Sequence, residues 1–242
     1  MATTYVTSSL ISYQENEQIF GGTMTGANWS SIRDSATSTE GLFLTGSSAE
    51  IKAFGNTSMK EYRASGRGGD VGSIGRLYLY FNTGSVVPSG ATITDLTLHL
   101  YGSDQGGSSN DTIVVQGKTV LTNDFDGLFL TVPYSSELTT WNSGSFTDYS
   151  LNATAVSDFN TDQELYCAVI GYDHDYSDSL PSDPTDNYWS AIFLSTLNTQ
   201  VPRLFITYTP AGWTKDIMGV SNASIVSVIG VAKASIANVN GT

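Results

Sequence analysis

Two neighbouring stretches of strictly alternating apolar and polar residues constrain the fold of this chain most. Residues 76–81 have the sequence RLYLYF and residues 96–101 the sequence LTLHLY, with the turn sequence PSGA at 88–91 between them. Successive side chains of a strand point to opposite faces, so this pattern is typical of strands that bury one face. Both stretches therefore predict half-buried β-strands.

Five further segments have the composition of strands and lie between turn-forming residues: 112–116, 128–132, 165–172, 190–194 and 203–208. Residues 42–45 and 50–54 are weaker strand candidates, while the glycine-rich, charged segment 61–75 predicts a loop. One short helix is predicted over 153–159, where Asn152 can cap the helix amide groups. Many short strands and little helical periodicity favour an all-β fold, an antiparallel jelly-roll β-sandwich.

Composition and length indicate one large domain with an appendage. The 242 residues are 40% hydrophobic and 14% charged, which suffices for one core but is tight for two. Pro210-Ala211-Gly212 stops the last predicted strand. We therefore divide the chain into residues 1–74, with N-terminal strands and the glycine-rich loop belonging to or packed on the sandwich, residues 75–210, which form its core, and a C-terminal tail, 211–242.

The tail contains a tandem eleven-residue repeat, GVSNASIVSVI at 219–229 followed by GVAKASIANVN at 230–240. A unit this short cannot bury its apolar side chains alone, so the repeat predicts attachment to another surface. Its periodicity favours short helical turns or irregular structure over strands. The apolar candidates for attachment are Trp213, Ile217, Val220, Ile225, Val228, Val231, Ile236 and Val239.

Charge and cysteine content exclude several classes of partner. The net charge of −13 argues against nucleic acid and against an anionic membrane, because both would repel this surface. We expect no secretory signal, since the first residues carry neither a basic region nor an apolar one, and no apolar stretch reaches the roughly 18 residues of a membrane helix. Cys167 is the single cysteine, and its apolar surroundings predict a buried thiol.

An acidic segment at 171–189 is the main candidate for metal binding. Its aspartates are Asp173, Asp175, Asp178, Asp183 and Asp186. The Asp173-x-Asp175 spacing lets two carboxylates reach one calcium ion, although the pattern of an EF-hand is absent. A solvated acidic loop is the simpler interpretation and a calcium site is the alternative. A carboxylate pair for glycoside hydrolysis is a third interpretation, but nothing fixes the separation that it needs.

Histidine content argues against an enzyme. His99 and His174 are the only histidines, which leaves too few for a multi-histidine zinc site and makes a Ser-His-Asp triad difficult to build. We expect His99 to be exposed on its strand and His174 to be solvated between two aspartates. No catalytic residue is predicted, and no cofactor other than the possible calcium.

Aromatic residues are the candidates for a ligand or an interface. Alternation places Tyr78, Tyr80 and Tyr101 on outward strand faces, and other aromatic residues lie near strand ends or in loops: Trp141, Tyr172 and Trp189. Outward aromatic rings can pack against another subunit, stack on sugar rings or pack on one another across strands. We favour the first use.

Part of the chain resembles a known family. The segment RLYLYFNTGSVVPSGATITDLTLHLYGS at 76–103 resembles the carbohydrate-binding-type jelly-roll modules of the DNRLRE family, whose pattern is an apolar strand, a "(I/V)P.GA.I" turn and a "T.A.L.L.LY" strand. SLNATAVSDF at 150–159 and FLSTLNTQVPRLFITYT at 193–209 extend the resemblance. It implies a jelly roll that serves as a sugar-binding or spacer module. The first third of the chain and the acidic segment depart from the family.

The tail resembles the short "I.GV..ASI..VNG" tails of structural proteins of tailed bacteriophages. This resemblance implies a non-enzymatic virion protein, made in the host cytoplasm, as a head decoration, a head fibre or a tail-associated component. Its partners would be other virion proteins and copies of itself in a symmetric oligomer. The alternative is a carbohydrate-binding module that recognises host surface glycans, with calcium as a possible cofactor.

Overall fold

The computed structural model describes residues 1–45, 58–66, 68–83, 86–104, 111–118, 125–142, 144–182, 190–191, 201–211, 227–228 and 231–232. Within these ranges the chain forms fourteen strands, two α-helices and one π-helical turn. Nearly all of the strands belong to two antiparallel sheets that enclose one core. The predicted all-β, antiparallel sandwich is confirmed.

The first sheet, which we call sheet A, has four main strands. They are β1 (Ala2–Thr7), β6 (Thr92–Asp104), β9 (Ser145–Ser150) and β12 (Arg203–Thr209). β12 pairs with β1 on one side and with β6 on the other, and β6 also pairs with β9. Among the strands that the structure describes, the outer ones of sheet A are therefore β1 and β9.

The second sheet, sheet B, is larger. Its strands are β2 (Leu10–Ile19), β3 (Glu40–Thr45), β4 (Ser58–Gly66), β5 (Gly69–Asn82), β7 (Thr112–Gly117), β8 (Leu128–Pro133) and β10 (Glu164–Gly171). They follow the order β3–β2–β5–β10–β7–β8. The long strand β5 has two partners in succession, because β4 pairs with its first half and β10 pairs with its second half. The short β11 (Ser190–Ala191) pairs with both β4 and β6 and so links the two sheets.

The alternating stretches supply much of the core between the sheets. Inward residues of β5 and β6 are buried: Leu77, Leu79, Phe81, Leu96, Leu98 and Leu100. Each such side chain stabilises the fold by about 1.5–3 kcal/mol. The predicted helix is α2 (Ala153–Asp162), which adds Phe159 to this core, and Asn152 caps it by accepting from the N–H groups of Thr154 and Ala155.

The face of sheet B that points away from the core between the sheets is also covered around β5. The helix α1 (Gly26–Arg33), which begins with a capping box between Thr25 and Asn28, buries Trp29 and Ile32 against this face. A Cβ at Gly72 would lie 2.5–2.6 Å from the terminal methyl groups of Met24 and Ile32, so a larger residue would displace these side chains. Because both of its faces are covered, β5 is buried continuously from Gly72 to Leu79.

The structure corrects the N-terminal half of the prediction. The predicted loop at 61–75 is wrong, because these residues form most of β4 and the first half of β5. Two of its charges pair within the hairpin, where the guanidinium of Arg63 lies 3.0 Å from the carboxylate of Asp70. Strands β1 and β2 and helix α1 were not predicted, whereas residues 42–45 do lie in a strand.

The later strand predictions hold for 112–116, 128–132 and 203–208, and for residues 165–171 of the predicted segment 165–172. The candidate at 190–194 is confirmed for Ser190–Ala191. Its remaining residues, and the candidate at 50–54, lie outside the described residues.

The described part of the tail is a hairpin rather than a helical turn. β13 (Ser227–Val228) pairs antiparallel with β14 (Val231–Ala232), outside both sheets of the sandwich. Val228 lies opposite Val231, so the two paired strands belong to different repeats, the first ending at residue 229 and the second beginning at residue 230. The expectation of helical turns was wrong for these residues.

Candidate functional site

The acidic segment begins as a π-helical turn, Tyr172–Tyr176, directly after β10. The N–H of Ser177 donates to the carbonyl of Tyr172 at 3.1 Å, and the N–H of Tyr172 donates to the carbonyl of Asp111 at 2.8 Å. Isolated π-helical turns are rare and are often found at functional sites. The groups that hold this turn therefore define the candidate site.

Asp175, at the centre of the turn, forms a buried ion pair with Arg76 of β5. The carboxylate accepts two hydrogen bonds from the guanidinium, at 2.8 Å from Nε and 2.7 Å from Nη2, and both side chains are fully buried. The guanidinium also donates to the carbonyls of Phe125 and Arg33, each at 2.8 Å, and lies 4.1 Å from the ring centre of Phe125. Asp175 is thus engaged by a cation rather than displayed for calcium.

Glu61 of β4 binds the same turn through its carboxyl group. Its Oε1 accepts the N–H of His174 at 3.0 Å and that of Asp175 at 2.5 Å. The side chain crosses Gly171, where a Cβ would lie 2.2 Å from its carboxyl group, so a larger residue at this position would displace that group. Burial raises the pKa of Glu61 to about 8, and the charge of Asp175 adds to the rise while the two backbone hydrogen bonds oppose it.

Helix α1 fixes the other side of the turn. Arg33 donates from Nε to the carbonyl of Asp175 at 2.6 Å and lies 3.8 Å from the carboxylate of Asp178. Ser30 donates to Asp178 at 3.0 Å, and the indole N–H of Trp29 donates to the carbonyl of His174 at 3.0 Å. Two of the predicted calcium ligands, Asp175 and Asp178, are therefore bound by side chains of the fold itself.

His174 is half-buried rather than freely solvated. Its Nδ1 lies 2.8 Å from the carbonyl of Ser179, which can only accept, so Nδ1 carries a proton. The ring meets Trp29 edge-on, with 6.3 Å between the ring centres. These contacts place His174 in the packing between α1 and the turn.

Asp173 belongs to a different group of carboxylates. Its oxygen lies with those of Asp111 and Glu137, all within 4.8 Å of one another. Burial raises the pKa of Glu137, and the charge of Asp111 raises it further. The sequence pattern did not indicate this group, because its members are far apart in the chain. Of the other predicted ligands, Asp183 and Asp186 lie outside the described residues.

The predicted aromatic face divides between the two sheets. Tyr78 lies on the covered face of sheet B, where it is buried and donates to the carbonyl of Phe125 at 2.6 Å, so its predicted exposure was wrong. Tyr80 is half-buried and stacks on Tyr166, with ring centres 4.4 Å apart. Tyr172 stacks in the same way on Tyr176, with centres 5.4 Å apart.

Two further aromatic candidates were tryptophans. Trp141 is buried in the core, with its ring centre 6.5 Å from that of Tyr149. It therefore does not form part of an outward aromatic face. Trp189 lies outside the described residues.

Tyr101 is outward on sheet A, as predicted, and belongs to an aromatic row that crosses all four strands. We call this row the sheet A strip; its members are Tyr5, His99, Tyr101, Phe146, Arg203 and Phe205. Neighbouring ring centres lie 5.3 Å apart for Tyr5 and Phe205 and 4.1 Å apart for His99 and Phe205. Cross-strand packing thus accounts for much of the surface of these rings.

Charged side chains lie within and beside the sheet A strip. The guanidinium of Arg203 lies 5.4 Å from the ring centre of Tyr5 and 5.2 Å from that of Phe146. His99, which was expected to be exposed, is half-buried and lies 3.0 Å from the carboxylate of Asp148. Burial lowers the pKa of His99, the charge of Asp148 opposes this, and the charge of Arg203 lowers it further.

Among the predicted attachment residues, Val228 and Val231 pair in the tail hairpin. The others lie outside the described residues: Trp213, Ile217, Val220, Ile225, Ile236 and Val239. Neither described helix has the length and apolarity required to cross a bilayer. No protein-family model matches the chain, and comparison with curated proteins finds no relative. The resemblances drawn from the sequence remain predictions.

Proposed function

We propose that the chain is a non-enzymatic structural protein of a bacteriophage virion, which displays its β-sandwich at the particle surface and is attached through residues 211–242. The observation that carries this proposal is the tail hairpin. Among the residues that the structure describes, its two short strands pair with each other and with no strand of the sandwich. A two-stranded hairpin alone is marginally stable in water, so a second surface is needed to hold it. Another virion protein or a further copy of the chain would supply that surface.

The arrangement of the acidic turn supports a display role rather than a catalytic one. Asp175 and Asp178 are bound to Arg76 and Arg33, and Glu61 is bound to two backbone N–H groups. These contacts brace the turn across α1, β4 and β5. Such bracing suits a domain that must keep its shape at the outside of a particle.

Removal of the tail tests the attachment. A variant that ends at Pro210 should keep the circular dichroism spectrum of the sandwich but should be lost from purified particles. A second variant, Val228→Asp, places a charge in the hairpin and should reduce incorporation while the full length is kept. Thr207→Lys on sheet A serves as the matched control. Full occupancy of the truncated chain would refute the attachment.

The second candidate, a glycan-binding module, is favoured by the sheet A strip. Aromatic rings stack on sugar rings, and the strip is flanked by groups that can hydrogen-bond to hydroxyls, namely Thr97, Asp148 and Ser150. Titration against a glycan array, with and without calcium, is the appropriate test. Saturable binding that Tyr101→Ala abolishes would support this candidate. Tyr78→Ala is unsuitable as a binding test, because Tyr78 is buried.

A further inference from the structure

Strand β1 is an outer strand of sheet A with an unusual composition for an edge. Its sequence, ATTYVT, contains no charged residue, no proline and no glycine, and β-branched and aromatic residues dominate it. Natural proteins usually protect edge strands with charges, proline or irregular geometry, because an open edge can pair with another strand. The other outer strands described carry such features: Glu40 in β3, Pro133 in β8 and Asp148 in β9.

The hydrogen-bond register shows which groups of β1 face this edge. The N–H of Ser8 donates to the carbonyl of Pro202 at 3.0 Å, and the register continues with Val6 opposite Leu204 and Thr4 opposite Ile206. Hydrogen-bonded pairs alternate along an antiparallel ladder, so Val6 and Thr4 also bond to β12. Thr3, Tyr5 and Thr7 therefore turn their N–H and C=O groups away from the sheet.

Tyr5 marks the centre of this edge. Its side chain is 49% exposed although one side of the ring packs against Phe205. It is also the outermost member of the sheet A strip, which stops at β1. Tyrosine is enriched at protein–protein interfaces, so this side chain is a candidate contact for a partner.

We propose that β1 pairs antiparallel with β1 of a second copy of this chain, about a two-fold axis at Tyr5, so that two sheets A become one. This pairing joins Tyr5 with the partner's Tyr5 and Thr3 with the partner's Thr7 through the outward N–H and C=O groups. The aromatic row then continues across the axis, and threonine lies opposite threonine, which is a favourable cross-strand pair.

Charge permits a second copy at this edge, although it opposes contact between copies elsewhere. The chain carries 23 acidic and 10 basic residues, so two copies repel each other over most of their surfaces. β1 carries no charged side chain, and the nearest charged residue of the strip is the cationic Arg203. Two identical acidic chains can therefore approach along this edge without opposing like charges. The pairing does not involve the tail, so its failure would leave the proposed attachment untouched, and the reverse also holds.

Sedimentation over a concentration series tests the pairing. The wild-type chain should form a dimer that dissociates on dilution. Thr3→Pro removes one outward N–H from each copy but leaves the ladder to β12 intact, and proline is tolerated at an edge. By symmetry two hydrogen bonds are lost, so the dimer dissociation constant should rise at least about tenfold. Thr97→Lys, on the inner strand β6, should leave the dissociation constant within about twofold, because β6 does not pair with β1.

Disulfide trapping gives an independent readout. Opposed residues of a hydrogen-bonded pair have Cα atoms about 5.5 Å apart, which lies within the range of a disulfide. Tyr5→Cys should therefore cross-link two copies rapidly on mild oxidation, while the buried Cys167 stays reduced. Phe129→Cys is the matched control, because Phe129 is an aromatic residue of similar exposure, 42%, on the outer strand β8.

Several results would overturn the proposal. One is a wild-type chain that stays monomeric at every concentration. Another is a dimer that Thr3→Pro does not weaken, or an assembly with an odd number of copies. Equal rates of cross-linking for Tyr5→Cys and Phe129→Cys would likewise exclude the pairing, since they would reflect random collision.

Discussion

The carboxyl group of Glu61 should give this protein a pronounced dependence of stability on pH. Its pKa is raised from 4.5 to about 8, mainly because burial disfavours the charged form. The folded state therefore holds this proton more tightly than the unfolded state does. The contribution of Glu61 to the free energy of unfolding is then greatest below about pH 4.5 and falls as the pH rises through about 8.

The magnitude follows from the size of the shift. Each unit of pKa difference corresponds to about 1.4 kcal/mol, so a rise from 4.5 to about 8 corresponds to at most about 5 kcal/mol. Since the side chain is half-buried and water can screen it, we expect a measured loss of about 2–4 kcal/mol. Such a loss is a large part of the stability of an ordinary domain.

Urea denaturation at intervals from about pH 5 to about pH 9 measures this loss, with Glu61→Gln as the variant. Glutamine resembles the protonated carboxyl group but does not titrate. The variant should match the wild type near pH 5 and exceed its stability near pH 9. Glu17→Gln, at an exposed position on β2, is the control for loss of an acidic residue. Parallel pH profiles for the wild type and Glu61→Gln would refute the reasoning.

Three further predictions concern the same region. Asp175→Asn leaves the buried guanidinium of Arg76 without its counter-charge and should lower the free energy of unfolding by about 3–5 kcal/mol in urea titrations. The double variant Arg76→Met/Asp175→Leu should lose less free energy of unfolding than the sum of the losses for the two single changes. Gly171→Ala places a Cβ against the Glu61 carboxyl group; it should cost about 1–3 kcal/mol and flatten the pH profile, and a profile that keeps its slope would contradict the contact. Glu137→Gln should raise the melting temperature at neutral pH, because the pKa of Glu137 is raised in the fold beside Asp111 and Asp173, and an unchanged or lower value would show that these carboxylates do not repel.

Periodicity predicted those strands that bury a single face. The inward leucines of β6 alternate with outward residues such as His99 and Tyr101, and the sequence shows this directly. The first half of β5 lacks such alternation because α1 covers its second face, so glycine and serine occur where an apolar pattern was sought. Strand β2 is rich in polar residues, and one of them, Asn16, is buried and donates to the carbonyl of Ile32 in α1. Polar residues that are buried by distant partners leave no periodic signal.

The acidic segment illustrates the same limit for the candidate site. Within the sequence, Asp173 and Asp175 stand two residues apart among other acids, which resembles a site that needs a cation. The cation is present, but it is the guanidinium of Arg76, 99 positions earlier in the chain, and Glu61 reaches the same turn from 114 positions away. Local spacing reports only the charges on one segment, whereas the fold determines which counter-charge meets them. A cluster of acids in a β-sandwich is therefore an argument for a metal only after the arginines on the neighbouring strands have been accounted for. In this chain Asp175 and Asp178 have arginine partners and are therefore no longer candidate metal ligands. Asp173 remains, together with the carboxylates of Asp111 and Glu137, which no sequence spacing connects to it.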